Sequence, residues 1–202
     1  MQFVFNGPDV PERLLQKHED GRVVFFCGAG ISYPAGLPGF GCLVKKLYQD
    51  LSDKIKPEQQ SAIDAKQFDT AIGLLEADVV GGRETVRREI AKILTPADLT
   101  APNATATHEA LLTLALNRGG CTQLVTTNFD RLFEEVKASK SLSFSDFKAP
   151  LLPVPKTRWD GLVYLHGLLP VAPTVGDLDR LVVSSGDFGL AYLIEGWAAR
   201  FV

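Results

Sequence analysis

The sequence predicts an α/β fold built on a mainly parallel sheet, with helices on both faces and a helical insertion. Three observations lead there. An unbroken apolar run, Val23 to Phe26, reads as a strand covered on both faces rather than a half-exposed one. Leu43, Leu47 and Leu51 then recur at helical spacing. Further on, the short strands "TQLVT" and "GLVYLHG" each follow helical stretches, and strands alternating with helices mark parallel connections.

The elements follow in order. A first helix is expected over 9–19, closed by Glu19-Asp20-Gly21, and a strand over Arg22 to Cys27. Past a glycine-rich loop comes the helix of Leu43, then one helix around 59–77 and another around 83–94, parted by Gly81 and Gly82. Ala71, Leu74, Leu75, Val79 and Val80 give this insertion an apolar face that has to be buried, as a lid, in an oligomer contact or simply on the sheet. The stretch "TPADLTAPNATAT" is a loop, and Thr107 is placed to cap a helix running to Asn117. After "TQLVT" and the loop "TNFD", a helix covers 131–138, and a proline-punctuated loop leads to Gly161. Beyond "LVVSSGDF", Ser184 or Ser185 opens a last helix whose apolar face includes Leu190, Leu193, Trp197 and Phe201, the latter two partly exposed.

Size and charge narrow the function. A chain of 202 residues is long enough for one domain with a small insertion. Its 24 acidic and 21 basic residues give a net charge of -3, which supplies no electrostatic reason to bind nucleic acid or an anionic membrane. Pro8, Asp9 and Pro11 interrupt the N-terminus before any long apolar run, so a cytoplasmic protein is expected. The cysteines Cys27, Cys42 and Cys121 form no C-x-x-C pair, which argues against a disulfide framework and against a structural zinc ribbon.

The glycine loop carries the first chemical signal. Where a strand runs into small residues ahead of a helix, backbone N–H groups can approach a phosphate that no β-carbon obstructs. Gly28, Ala29, Gly30, Ile31 and Ser32 stand at that place. Tight turns use glycine for steric reasons too, so the loop alone is not decisive. The dehydrogenase fingerprint fails, because Tyr33 occupies the third glycine's position, and the triphosphate-binding loop fails for want of a G-K-[ST] ending.

A second constellation adds to it. "TTNFD", Thr126 to Asp130, leaves one strand and "YLHG", Tyr164 to Gly167, ends another, so all three loops belong at the carboxyl ends of parallel strands, where open α/β sheets bind ligands. Singly, each has a plain explanation: Asn128 and Asp130 as helix caps, His166 as a core histidine.

Together these elements resemble a sirtuin-like NAD-binding domain with a Rossmann-like sheet. The family's G-A-G-[IA]-S loop stands as "GAGIS", and its G-[IL]-P continuation as Gly36-Leu37-Pro38. The T-[QT]-N-[IF]-D element stands as "TTNFD", with Thr127, Asn128 and Phe129, and the histidine as "LHG"; the family's P-N-x-x-H-x-x-L start is echoed in "APNATATHEALLTL". The departures bear on the reaction. The deacylases of the family carry a four-cysteine zinc module after the histidine, and this chain has no cysteine beyond Cys121. They continue G-I-P with D-F-R, whereas Gly39, Phe40 and Gly41 follow here, and a helical insertion over 41–96 precedes "THEALL". These features are similar to prokaryotic sirtuin-like domains that hydrolyse NAD, often as effectors of anti-phage defence. The resemblance implies NAD as substrate, no zinc, and an activity that cleaves the nicotinamide–ribose bond to give nicotinamide and ADP-ribose. It leaves open an NAD-dependent deacylase, an ADP-ribosyltransferase or a non-catalytic sensor of NAD or ADP-ribose.

The chemistry assigns roles. Cleavage passes through an oxocarbenium-like state and expels a leaving group already cationic, so no strong general acid is needed. "GAGIS" would hold the pyrophosphate, Asn128 would orient the ribose hydroxyls or the attacking water, Asp130 would fix the loop or favour developing positive charge, and His166 would accept a proton. Phe40 and Phe129 are candidates to wall the nicotinamide, or they are packing residues; His18 and His108 are read as structural. Because the last helix stops at Val202 without a stop signal, a piece of a longer effector or homo-oligomeric protein is expected, lacking part of the adenosine-side pocket.

Overall fold

The computed structural model describes residues 2–96, 99–153 and 159–202; positions 97, 98 and 154–158, in the two expected loops, lie outside the described residues. Four strands, β1 (Phe25–Cys27), β2 (Gln123–Thr126), β3 (Ser145–Lys148) and β4 (Gly161–Tyr164), form one sheet in the order β1-β2-β4-β3, and every pairing is parallel. In this order β1, β2 and β4 are neighbours. The register aligns Cys27 with Thr126 and Thr126 with Tyr164, so their carboxyl ends are flush and the three loops that follow lie side by side.

The strands depart from the sequence reading in two ways. β1 is an edge strand, and its apolar run is not covered on both faces: Val24 and Phe26 are 49% and 58% exposed, while only Phe25 turns into the core. An apolar run alone does not tell an edge strand from a central one. The continuous burial expected of a central parallel strand belongs instead to β4, where every residue is buried. β3 was read as loop. Its sequence, Ser-Asp-Phe-Lys, is polar because it forms the opposite edge.

The helices are α1 (Glu12–Glu19), α2 (Phe40–Leu51), α3 (Pro57–Asp64), α4 (Phe68–Asp78), α5 (Gly82–Ile93), α6 (Ala106–Ala115), α7 (Leu132–Ser139), α8 (Val175–Leu178), α9 (Ser185–Phe188) and α10 (Trp197–Phe201). The single helix expected around 59–77 is two. Lys66 takes a left-handed φ of 58°, and the Gln67 N–H turns back to the Ala62 carbonyl, which closes α3. α6 starts after Thr105 rather than Thr107. The helix expected from Ser184 to Phe201 is also broken: α9 runs into a π-helical turn, 189–194, and Gly196 at φ 62° separates it from α10. Ser184 is the N-cap of α9, with Asp187 completing a capping box. Trp197 and Phe201 are partly buried.

Alternate strand residues feed two cores on opposite faces. Leu124, Leu162 and Tyr164 pack with Leu112, Phe133 and Val136 of α6 and α7. Val125, Val163 and Leu165 pack with Val182, Ala191 and Ala198 of the C-terminal segment. A third core joins the insertion to the loop side of the sheet, where Leu43, Leu47, Ile72, Leu75, Val86 and Ile90 meet Phe129, Leu169, Leu181 and Val183. Of the apolar face expected on the insertion, Ala71 and Leu75 are buried, Leu74 and Val79 partly so, but Val80 is 94% exposed, because it lies past the end of α4. Among the described residues no helix is long and apolar enough to cross a membrane.

Candidate functional site

The segment after β1 is a 3₁₀ helix, Ala29–Ala35, closed by Gly36 in the left-handed conformation at φ 78°. Its tight winding brings Ser32 under the sheet's carboxyl edge, where the side chain is almost fully buried. The Thr127 N–H bonds to the Cys27 carbonyl at 3.1 Å, tying the second loop to the first. A β-carbon on Gly28 would meet Thr127 Oγ1 at 3.4 Å, whereas one on Gly30 would meet nothing within 4 Å, so the backbone at Gly30 faces open space.

A cavity of about 220 Å³ opens among the loops. Of the sequence-predicted residues, Ala29, Ser32, Leu37, Pro38, Phe40, Thr127, Asn128, Phe129, Asp130 and His166 line it. Gly28, Gly30, Ile31 and Gly36 do not; Ile31 packs instead on the core under α6 and α7. Sequence reasoning missed Leu43 and Leu94 of the insertion, and Val182 and Phe188 of the C-terminal segment. The spacing of Phe188 and Tyr192, one helical turn apart, was the available sign of the latter group. Nothing in the sequence marks Leu94.

Ser32 is the hub of the polar wall. Its hydroxyl donates to Asp130 Oδ2 at 2.8 Å and accepts from Asn128 Nδ2 at 3.1 Å, with His108 Nε2 at 3.4 Å. Asp130 Oδ1 accepts the Leu132 N–H at the start of α7, and the Asn128 N–H bonds Thr126 Oγ1. Asp130 thus both caps a helix and anchors the first loop, while Asn128 is held by its own backbone and by Ser32. His18 is remote from the cavity, with Nε2 at 2.7 Å from the Leu114 carbonyl.

His166 enters from β4. Its Nε2 is 2.9 Å from the Tyr192 hydroxyl, and its ring meets Phe188 edge-on at 5.1 Å. Burial pushes its pKa down to about 4, so the imidazole is neutral at physiological pH. The Val182 N–H on the His166 carbonyl, at 2.9 Å, holds the segment that brings these aromatics back.

That segment is anchored by a buried cation. Arg87 of α5 is fully buried, donates to Glu76 and to the Leu181 carbonyl, each at 2.7 Å, and pairs with Asp187. Burial acts to raise the Asp187 pKa, but the Arg87 charge and hydrogen bonds outweigh it and hold the carboxyl at about 2. Arg83 adds ion pairs to Asp179 and Asp187, both at 2.8 Å. The insertion and the C-terminal segment are therefore clamped together beside the cavity. No group of histidines, cysteines and carboxylates suited to a metal is found among the described residues.

A parallel sheet with a ligand-sized opening at its carboxyl edge belongs to the α/β, Rossmann-like class of architecture. Within that class, residues 122–202 match the family model of the SIR2-like domain, so this part of the chain is similar to that domain. The chain is also 36% identical over 201 residues to "Uncharacterized protein y4cA" of Sinorhizobium fredii (strain NBRC 101917 / NGR234), an alignment covering 97% of this chain. It spans 16% of that relative's length.

Proposed function

We propose that this domain hydrolyses NAD+ at the nicotinamide–ribose bond, releasing nicotinamide and ADP-ribose. The observation that carries the reading is the convergence of "GAGIS", "TTNFD" and "LHG" on one cavity, with Ser32, Asn128, Asp130 and His166 in its wall. The residues fit the substrate's reacting end. Phe40, Leu43 and Phe129 give an apolar lining for a flat ring, and apolar lining with a few convergent polar groups is what small-molecule sites share. The open backbone at Gly30 leaves room for the pyrophosphate.

In this reading Asn128 orients a ribose hydroxyl or the attacking water, and neutral His166 accepts its proton through Nε2 once Tyr192 yields that position. Asp130 keeps the loop in place and its charge near the developing cation. Water is read as the acceptor on resemblance: within these 202 residues no cysteine follows Cys121, unlike the deacylases, whose four-cysteine module follows the histidine. A part in anti-phage defence, as the cytoplasmic effector portion of a larger or homo-oligomeric protein, belongs to the same proposal and rests on resemblance alone. The test is the fate of solvent oxygen. Turnover of NAD+ in heavy-oxygen water should put the label in ADP-ribose, whereas unlabelled product joined to another acceptor would exclude hydrolysis.

A further inference from the structure

Ser32 has one hydroxyl proton, and three side chains meet at its oxygen. Asp130 is an acceptor on both sides, since its other oxygen already takes the Leu132 N–H at 3.1 Å. The Ser32 proton therefore goes to Asp130, and every other group facing that oxygen has to donate. For Asn128 this fixes the amide: Nδ2 faces Ser32, and Oδ1, which makes no hydrogen bond among the described residues, is the end left for the cavity.

For His108 the same count fixes the tautomer. The ring is fully buried, meets Phe133 edge-on at 4.7 Å, and its Nδ1 is buried with no partner. A hydrogen on Nδ1 would be stranded, in the neutral ring or the charged one. Only the neutral form with its hydrogen on Nε2, directed at Ser32, leaves no donor unpaired. Burial favours that neutral form, and the Asp130 charge works against it more weakly.

We propose that His108 is a positioning residue for the cavity: its Nε2–H, held on one lone pair of Ser32, keeps the hydroxyl turned to Asp130 and so keeps Asn128 Oδ1 toward the cavity as an acceptor. Without His108 the hydroxyl can rotate toward Asn128 and the amide can flip, presenting a donor to the cavity instead. With Oδ1 held toward the cavity, a ligand group on that side has to donate, as a hydroxyl or a water does. This deepens the hydrolase reading and rests on it.

Two measurements test it. NMR of isotope-labelled imidazoles in the wild-type chain should find His108 neutral at pH 7 with its hydrogen on Nε2. A hydrogen on Nδ1 or a charged ring overturns the proposal whether or not the protein has activity. In nicotinamide-release assays, His108→Leu should lower kcat about tenfold with a smaller change in KM, the scale of one lost hydrogen bond. His108→Gln, which returns an N–H near the place of Nε2, should recover most of that loss. Full kcat in folded His108→Leu, or equal loss in both variants, also overturns the proposal. No turnover in the wild-type chain would count against the hydrolase reading, and the tautomer would still decide the positioning role.

Discussion

One wall of the cavity is made by loops of the sheet and held by side-chain hydrogen bonds centred on Ser32; the other is made by the insertion and the C-terminal segment and held by apolar packing around buried Arg87. The groups of the polar wall come from distant parts of the chain, but each sits within a few residues of a strand end, so they are placed by the sheet. The apolar wall draws on residues as far apart as Leu43, Leu94 and Phe188, so it is placed only when the whole fold closes. Damage to the first wall should appear in turnover, and damage to the second in stability.

The largest separation is expected from Asn128→Ala and His166→Ala. Each should reduce nicotinamide release about 10²–10⁴-fold while the thermal unfolding midpoint stays near wild type. Full turnover in either variant breaks the assignment of chemistry to the polar wall. Arg87→Met should do the reverse. It removes the buried cation from Glu76 and Asp187 and leaves them only the half-buried Arg83, and loss of one partner from a buried pair costs up to about 3–5 kcal/mol in denaturant unfolding. Leu75→Ala, fully buried in the insertion core and away from the cavity lining, should cost about 2–5 kcal/mol and leave kcat unchanged wherever the protein is folded.

The pH profile sharpens the same contrast. His166 is held below its ordinary 6.5, at about 4, so it stays a competent base well into acid, and the acid limb of kcat/KM from this group should fall near 4 rather than near 6.5. The unfolded chain takes up that proton first as the pH drops. Stability contributed by burying a neutral His166 is therefore intact above 6.5 and is lost as the pH falls from 6.5 through 4. The smallest effect belongs to Val80→Ser. With Val80 94% exposed, it should change stability by no more than about 0.5 kcal/mol, which separates the buried face of the insertion from its surface.

How much of this was legible in the sequence follows the same division. The three loops read clearly because each is a short signature at a strand end, and strand ends in a parallel sheet come together by topology. Their convergence needed no knowledge of the helices. β3 did not read, because Ser145 to Lys148 lacks an apolar run and is a strand only through its pairing with β4. The exposure of Phe26 was hidden for the opposite reason, since an apolar edge strand looks central until its neighbours are counted. Lys66 ends α3 in a conformation that its side chain does not announce. Arg87 carries no sign of burial in its own stretch of sequence; its burial depends on Glu76 one helix earlier and on Asp187 one hundred residues later in the chain. The placement of Phe188 and Tyr192 against His166 is not legible in the sequence, because it requires knowing that the chain returns to the third loop.

The most direct measurement of the central claim is free nicotinamide produced from NAD+ by the wild-type chain, with and without an acylated peptide. The account predicts release at the same rate in both, with ADP-ribose as the matching product. Release that appears only with the peptide, or NAD+ bound and left intact in a folded protein, would contradict it.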